Sequence, residues 1–524
     1  MKYFILLLAI SSISITLCQN TKPEITFQDV VIDQINETVT ITYDLTDNEN
    51  DLCSVWLKSS IDGGEFYETI DTLNITGDIG QNINPGVSKY MVWDYSGITS
   101  LIFNVQLKLS TSDGFDYNIQ DFVDQVDSNE LINNLEYIEG IRHFIANPSH
   151  LDDIRDSLDY LFNLYGLETE RHQFTYNGYQ GSNILGRKPG LKDEAITFVI
   201  DGHYDGVSNS PAADDNGSAI SGMLEILRVL SQYDFEHSIR FIGFDFEESG
   251  LIGSQRYVQN AIKNYEDIQG VLNFEMIGYY SDEVNSQTLP SGFDLLFPQE
   301  VLDIQNDNNR GNFLVVVGNE NSNSLITDFE NYASIYVPDL RIISLEVPGN
   351  GEIAPDLRRS DHTPFWESGK KALMLSDGAD TRNFNYHTPA DTIGTLNFDF
   401  MTKNVKATLA TLAELAIPIS GSTDHYDLAL LSVDNHSHHD ATSINIYPNP
   451  SSGKFTVSIE TTKAEKYRLE VFNLDGKIVS KNTYSLNKNE IINEEIDLSN
   501  LSKGSYIAIF TTNEFSISKS IIIK

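Results

Sequence analysis

The chain has few cysteines, few basic residues and no long apolar segment. Only two of its 524 residues are cysteine, Cys18 and Cys53. Lys and Arg total 34 against 76 Asp and Glu, so the formal net charge is −42. Because binding to phosphate backbones needs clustered Lys and Arg, this charge balance argues against a nucleic-acid partner. The apolar run Tyr3 to Ile10 is too short to cross a membrane, so we expect no membrane span.

Residues 1–19 have the pattern of a secretory signal peptide. Lys2 precedes the apolar run, and small and polar residues follow it up to Gln19. We expect cleavage near Cys18, which would leave Cys53 as the only cysteine of the mature protein. No intrachain disulfide is then expected, and stability must come from packing or from metal binding.

Three local motifs contain residue types that bind zinc. They read HYD at His203 to Asp205, PAADDNGSA at Pro211 to Ala219, and FDFEESGLIGS at Phe244 to Ser254. Zinc binds imidazole nitrogen and carboxylate oxygen, and a catalytic zinc keeps one coordination position open. A hydrolytic site with two zincs needs about five protein ligands and a separate carboxylate that moves protons. The candidate ligands are His203, Asp215, Glu248, Glu275 and His387, and the candidate proton shuttle is Glu247.

Short apolar runs come directly before several of these residues. Ala195 to Ile200, Ile239 to Phe246 and Val271 to Phe274 predict buried strands of a mostly parallel sheet. In open α/β sheets, ligands bind in the crevice beyond the carboxyl ends of the strands, which explains the position of the candidate ligands. After Asp215, we expect Asn216 to cap a helix with apolar residues at helical spacing.

Residues of about 120–415 resemble the co-catalytic zinc aminopeptidases. This family also includes aminopeptidase Y, glutamate carboxypeptidase and, as a divergent branch, the glutaminyl cyclases. The resemblance rests on the three motifs above and on the segment NYHTPADT, Asn385 to Thr392. It implies an α/β fold, with a three-layer catalytic domain built around a central, mostly parallel mixed sheet. It also implies two zinc ions for each catalytic domain.

The resemblance implies a role for each candidate residue. One zinc would be held by His203 and Glu275 and the other by Glu248 and His387, with Asp215 bridging them. Glu247 would be the general base. Asp205 would orient the ligand histidine. Tyr386 would help to stabilise the oxyanion. The family also has a non-proline cis peptide after its bridging aspartate, which corresponds to Asp215–Asn216 here.

Two ligand assignments have alternatives. The family usually has aspartate where this chain has Glu275, and Asp282 is a possible substitute ligand. His362, in RSDHTPFW, is another histidine followed by Thr-Pro. We prefer His387 because its YHTPADT context matches the final ligand of the family, whereas SDHTPF matches a segment that lines the site.

The C-terminal region has a second resemblance. From Ile444 the chain reads INIYPNPSSGKFTVSIE, later YRLEVFNLDGKIV, and it ends in a basic terminus. These segments are similar to the sorting domain that directs Bacteroidetes proteins through the type nine secretion system. The residues that carry the likeness are Tyr447, Pro448, Asn449, Pro450, Gly476, Gly504, Tyr506 and Lys519. The resemblance implies the type nine secretion machinery as a partner and a secreted or cell-surface location.

The chain is therefore expected to contain three folded units. Residues 20–116 are expected to form a fibronectin-like β-sandwich, because their segments alternate apolar and polar residues. The catalytic domain follows over 117–420. Residues 421–442 are expected to form a linker, and a β-sandwich sorting domain to occupy 443–524. The linker contains a histidine cluster for which we expect adventitious metal binding at most: His425, His436, His438 and His439.

The expected activity is removal of N-terminal residues from peptides with a free N-terminus, through a metal-bound hydroxide. Three alternatives stay open. A carboxypeptidase would need a basic clamp for the substrate carboxylate, for which Arg358 and Arg359 are available. A glutaminyl cyclase would use one zinc, and a surface binding protein with a decayed catalytic domain would fit the unusual Glu275.

Overall fold

The computed structural model describes residues 20–33, 36–96, 102–431, 442–461, 465–473, 477–488, 490–511 and 516–524. The expected signal peptide with Cys18, the sorting-motif residue Gly476, and three of the four clustered histidines lie outside these ranges. Within them, no helix is both long and apolar enough to cross a lipid bilayer.

The N-terminal unit consists of two antiparallel sheets packed around one apolar core. Strand β2 alternates buried and partly exposed residues, as expected for a strand with one face on a core. Cys53 is a free, buried thiol in this core. The strands are β1 Glu24–Asp33, β2 Thr38–Thr46, β3 Cys53–Ser60, β4 Glu68–Thr69, β5 Ile75–Gly77, β6 Gly80–Ile83, β7 Gly86–Asp94 and β8 Ile102–Ser112.

An eight-stranded mixed sheet forms the centre of the next unit. Its strand order is β16-β15-β17-β14-β11-β13-β10-β9. Strand β11 pairs in parallel with both β13 and β14, and β14 with β17, so these four strands end at the same edge. The strands of this unit are β9 Glu168–Tyr176, β10 Tyr179–Lys188, β11 Asp193–His203, β12 Asp234–Phe235, β13 His237–Phe244, β14 Asp267–Glu275, β15 Leu314–Asn319, β16 Ile342–Val347, β17 Ala372–Ser376 and β18 Pro418–Ile419.

Helices cover both faces of this sheet. One apolar core joins α1, α2, α3, α4, α8 and α10 to the first face, and a second joins α5, α7 and α9 to the other. The result is the three-layer α/β fold expected from the sequence. The helices are α1 Ile119–Val123, α2 Ser128–Ile138, α3 Pro148–Leu164, α4 Ala219–Leu230, α5 Ile252–Asn260, α6 Phe293–Leu296, α7 Pro298–Asn306, α8 Asn323–Tyr336, α9 His362–Glu367 and α10 Phe398–Ala416.

The predicted linker 421–442 is not a linker in its first half. Strand β19, Gly421–Leu431, pairs antiparallel with β8 and so returns to the N-terminal unit. Leu428 is buried in the core of that unit. The polar composition of this segment led to the prediction of a linker, although one face of the strand is buried. His425, from the predicted histidine cluster, packs edge-on against the ring of Tyr67.

The C-terminal unit has two further antiparallel sheets around its own core. Their strand orders are β20-β21-β24 and β23-β22-β25-β26. The strands are β20 Thr442–Tyr447, β21 Lys454–Thr461, β22 Glu465–Phe472, β23 Ile478–Leu486, β24 Glu490–Asp497, β25 Gly504–Thr511 and β26 Ser516–Ile523.

A buried ion cluster joins the N-terminal unit to the central sheet. Glu194 of β11 lies 3.2 Å from Lys58 Nζ of β3 and 2.8 Å from Lys108 Nζ of β8. Arg187 Nη2 of β10 is 3.4 Å from the same carboxylate. Burial opposes ionisation of Glu194, but the surrounding cations outweigh it and hold its pKa below the usual value.

Replacing Glu194 with Gln should destabilise the protein by roughly 3–5 kcal/mol, because buried cations would lose their shared counter-charge. The measurement is the free energy of unfolding in urea. Glu236→Gln is the matched control, since Glu236 pairs with the half-exposed Lys192. Its expected cost is at most about 1 kcal/mol. Equal losses for both variants would contradict a specific role for the buried cluster.

Candidate metal centre

The candidate ligands collect at the carboxyl edge of the central sheet. His203 is the last residue of β11, Glu275 is the last residue of β14, and Glu247 and Glu248 follow β13 within four residues. His203 is in register with Phe244, the final residue of β13. Parallel pairing therefore brings side chains distant in sequence to one crevice, as the strand pattern predicted.

These side chains form two groups, and Asp215 of the second group lies next to the first. One group contains His203, Glu247 and Glu275, and the other Asp215, Glu248 and His387, with ligand atoms within 4.8 Å of one another in each. Asp215 Oδ1 lies 3.5 Å from His203 Nε2, and Asp215 Oδ2 lies 3.0 Å from His387 Nε2. The two oxygens of one carboxylate thus face one histidine each, so Asp215 connects the two groups.

The donor atoms fit a metal ion better than they fit one another. Within the described residues, four buried atoms of these groups make no hydrogen bond: His203 Nε2, Asp215 Oδ2, Glu248 Oε1 and His387 Nε2. Buried polar atoms are almost always satisfied, so such a concentration of unsatisfied ones needs an explanation. Imidazole nitrogen and carboxylate oxygen are zinc ligands, and a cation among them would satisfy all four.

The electrostatics of the site also favour bound cations. Burial raises the pKa of Glu248 to about 8, and the neighbouring charge of Asp215 adds to this effect. Burial alone would lower the pKa of His387, but Asp215 and Glu248 outweigh it and raise the value to about 10. Carboxylates this close repel one another, and a divalent ion removes that repulsion.

Asp205 connects the first two motifs through the backbone. Its carboxylate accepts hydrogen bonds from the amides of Glu247 at 3.0 Å and Glu248 at 3.3 Å. His203 Nδ1 lies 3.2 Å from the carbonyl oxygen of Asp205 and 3.4 Å from its Oδ1. Phe246, just before the two glutamates, has a φ of 57°. This turn directs Glu247 towards His203 and Glu248 towards His387.

The loop that carries Asp215 is fixed by residues that sequence reasoning missed. Asp391, in the YHTPADT segment, accepts hydrogen bonds from the amides of Asp214 and Asp215. Arg142, fully buried, donates to the carbonyl oxygens of Pro211 and Ala212. Asp391 could have been predicted as a site residue because it lies in the same YHTPADT motif as His387. Arg142 could not, because it lies in no recognisable motif.

The prediction that Asn216 caps a helix is wrong. Its side chain donates to the carbonyl oxygen of Phe274 and accepts from the amide of Met276. These two residues flank Glu275, so Asn216 ties the Asp215 loop to the end of β14. The peptide between Asp215 and Asn216 is cis, as the family resemblance implied.

Glu275 lies in the first group, although its side chain is one methylene longer than the aspartate usual in the family. Its Oε2 lies 3.6 Å from His203 Nε2 and accepts a hydrogen bond of 2.6 Å from the hydroxyl of Ser360. The alternative ligands lie elsewhere. His362 is buried with its Nε2 3.0 Å from the carbonyl oxygen of Leu357, and Asp282 accepts a hydrogen bond from the hydroxyl of Tyr280.

Tyr386 lies against His387 at the mouth of the site. The two rings stack with centroids 3.7 Å apart, and His387 itself has a φ of 57°. Burial raises the pKa of Tyr386, so its hydroxyl is a hydrogen-bond donor at neutral pH. Arg359 Nη2 donates to the phenolic oxygen at 3.0 Å.

Comparison with known proteins agrees with this geometry. Residues 183–412 match the model of peptidase family M28, and residues 445–524 match the model of a secretion system C-terminal sorting domain. Residues 183–412 belong to peptidase family M28. The M28 match contains every candidate site residue, and the sorting-domain match indicates a secreted or cell-surface protein.

Relatives cover different shares of the chain. YfbL of Escherichia coli is 29% identical over 280 residues, which are 51% of this chain and 82% of that protein. Aminopeptidase YwaD of Bacillus subtilis is 41% identical over 106 residues, 20% of this chain and 23% of that protein. The crystal structure of the LapA aminopeptidase of Legionella pneumophila covers 57% of this chain and 74% of that one, with 21% identity and a TM-score of 0.44.

Asp215→Asn should lower the zinc content of the protein, because a neutral amide oxygen binds a cation more weakly than a carboxylate does. The measurement is elemental mass spectrometry of purified, dialysed protein. Asp282→Asn is the matched control and should keep the zinc content of the wild type. Retention of the wild-type zinc content by Asp215→Asn would contradict a role of Asp215 as a metal ligand.

Proposed function

We propose that this protein is a secreted, zinc-dependent aminopeptidase exported by the type nine secretion machinery. The observation that carries the proposal is Asp215, whose two oxygens face His203 and His387 at the carboxyl edge of the sheet. His203 and Glu275 would hold one zinc, and Glu248 and His387 the other. This set leaves Glu247 free for proton transfer.

The residues of the chain divide the reaction between them. Zinc held by these residues would lower the pKa of a water molecule and polarise the carbonyl that is attacked. Glu247 takes the proton of the attacking water and returns it to the leaving amine. Its Oε2 is 3.8 Å from His203 Nε2, slightly farther than the 3.6 Å between Glu275 Oε2 and the same nitrogen. Tyr386 donates a hydrogen bond to the developing oxyanion.

A cavity of about 340 Å³ adjoins the centre and provides a place for the N-terminal side chain of a substrate. Glu275 and Tyr386 form part of its wall nearest the candidate ligands. Most of the remaining wall is apolar: Leu289, Phe293, Val301, Ile304, Phe313, Val315, Ile343, Leu345, Leu357 and Met374. Burial of an apolar side chain in such a cavity is favourable, so large apolar N-terminal residues are the preferred substrates.

Charge at the cavity favours an amine over a carboxylate. Glu300 and Asp356 line it, and their negative charge attracts the ammonium group of a free N-terminus. The basic clamp that a carboxypeptidase needs is already occupied. Arg358 pairs with Glu367, and Arg359 pairs with Asp380. Two candidate metal groups with Asp215 between them favour hydrolysis over the one-zinc chemistry of a glutaminyl cyclase.

With zinc supplied, the protein should cleave leucyl and phenylalanyl anilides much faster than glycyl anilide, because only the larger side chains fill the apolar cavity. N-acetyl-leucyl anilide should resist cleavage, since it lacks the ammonium group. Initial rates before and after chelation measure both effects. Cleavage of the acetylated substrate, or activity that survives chelation, would contradict the proposal.

Glu247→Gln should lower kcat by about 10²–10⁴-fold, because an amide cannot accept the proton of the attacking water. The zinc content should stay at the wild-type value, which separates proton transfer from metal binding. Steady-state kinetics on leucyl anilide and elemental analysis of the same sample provide the two measurements. Loss of zinc together with activity would instead make Glu247 a metal ligand.

A further inference from the structure

The hydrogen bond between Arg359 and Tyr386 leaves the phenolic hydrogen unused. Arg359 Nη2 donates to the Tyr386 oxygen at 3.0 Å. A guanidinium has donors only, whereas a phenol has one hydrogen and also accepts, so the oxygen of Tyr386 is the acceptor in this contact. In the part of the chain that the structure describes, no protein group accepts the hydrogen of Tyr386. That hydrogen remains available to the cavity that both residues line.

Arg359 is held from its other side by Asp380. Its Nη1 donates to Asp380 Oδ2 at 3.0 Å, and the guanidinium carbon lies 5.7 Å from the centroid of the Tyr386 ring. The side chains of Arg359 and Asp380 are 44% and 43% exposed, so this ion pair adds little to folding stability. A role at the site explains the arrangement better than a role in stability.

We propose that Arg359 is a positioning residue for the reaction, acting through Tyr386; this inference rests on the proposed aminopeptidase function. Arg359 fixes the phenolic oxygen, so that its hydrogen points into the cavity at the carbonyl oxygen of the substrate. The stacking of Tyr386 on His387 fixes the plane of the ring. The hydrogen bond from Arg359 fixes the position of the phenolic oxygen within that plane. A cationic donor on the phenolic oxygen also strengthens the hydrogen bond that the phenol gives to an oxyanion.

The geometry distinguishes this role from a clamp for a substrate carboxylate. Both Nη atoms of Arg359 already have protein partners, because one donates to Tyr386 and the other to Asp380. A substrate carboxylate would have to compete with Asp380, which already pairs with this guanidinium. The neighbouring Arg358 does not line the cavity, and it donates instead to the carbonyl oxygen of Asn350 and to Glu367.

A double-mutant cycle on the zinc-loaded, full-length protein tests the inference. Tyr386→Phe should lower kcat on leucyl anilide by about 10²-fold, because it removes an oxyanion donor. Arg359→Met should lower kcat about tenfold through misplacement of that donor, with little change in KM. In the Tyr386→Phe background, Arg359→Met should have an effect of less than about twofold, because residues that act through one another are not additive.

Arg358→Met is the matched control and should keep wild-type kcat and KM. Arg359→Lys, which keeps the charge but loses the fork, should fall between wild type and Arg359→Met. Zinc content and the thermal midpoint of each variant report on folding. Equal losses from Arg359→Met in both backgrounds would overturn the inference, because Arg359 would then act independently of Tyr386.

A second substrate separates the remaining outcomes. Leucyl-glycine has a free carboxylate, which leucyl anilide lacks. If Arg359→Met raised KM for leucyl-glycine alone and left leucyl anilide unchanged, Arg359 would be a carboxylate clamp and the inference would be wrong. Absence of cleavage of both substrates by the wild-type protein would overturn the proposed function, and this inference with it.

Discussion

Burial of several carboxylates within a few ångströms of one another is the constraint on which the site depends. In a low-dielectric interior such charges repel strongly and need positive partners. Metal ions at the two groups would supply most of that charge, and the protein provides partners for some of the remaining carboxylates. Asp391 accepts backbone amides, while burial and the adjacent carboxylate of Asp214 raise its pKa to about 7. Behind the site, burial raises the pKa of Asp377 to about 6 beside Asp214, where a shared proton is favoured.

Holding these groups in place requires unusual backbone conformations next to the site. Ala212, Phe246, Met276 and His387 all have φ between 53° and 57°, in the left-handed region that side chains other than glycine rarely adopt. Each lies within three residues of a candidate ligand, or is one. Such conformations persist only where the surrounding structure enforces them. The apolar cores on both faces of the central sheet provide that rigidity.

The sequence predicted those parts of the site that follow directly from strand ends. His203, Glu248 and Glu275 come after continuous apolar runs, and parallel pairing explains why they meet. Contacts made by lone polar residues could not be predicted in this way. Neither Arg359 nor Asn216 has a periodic pattern or a nearby partner in sequence, because each contacts a segment far along the chain. Strand β19 was missed for a related reason: its pairing partner β8 lies about three hundred residues earlier.

The return of β19 to β8 makes the peptidase domain an insertion within the N-terminal sandwich. Strand β8 has β3 on one side and β19 on the other, so without β19 it would be an exposed edge. A row of unpaired backbone groups on such an edge promotes aggregation. During synthesis, that edge is covered only after the whole peptidase domain and Leu431 have left the ribosome. Most of the N-terminal sandwich is therefore made before the peptidase domain, but its sheet is completed only after that domain.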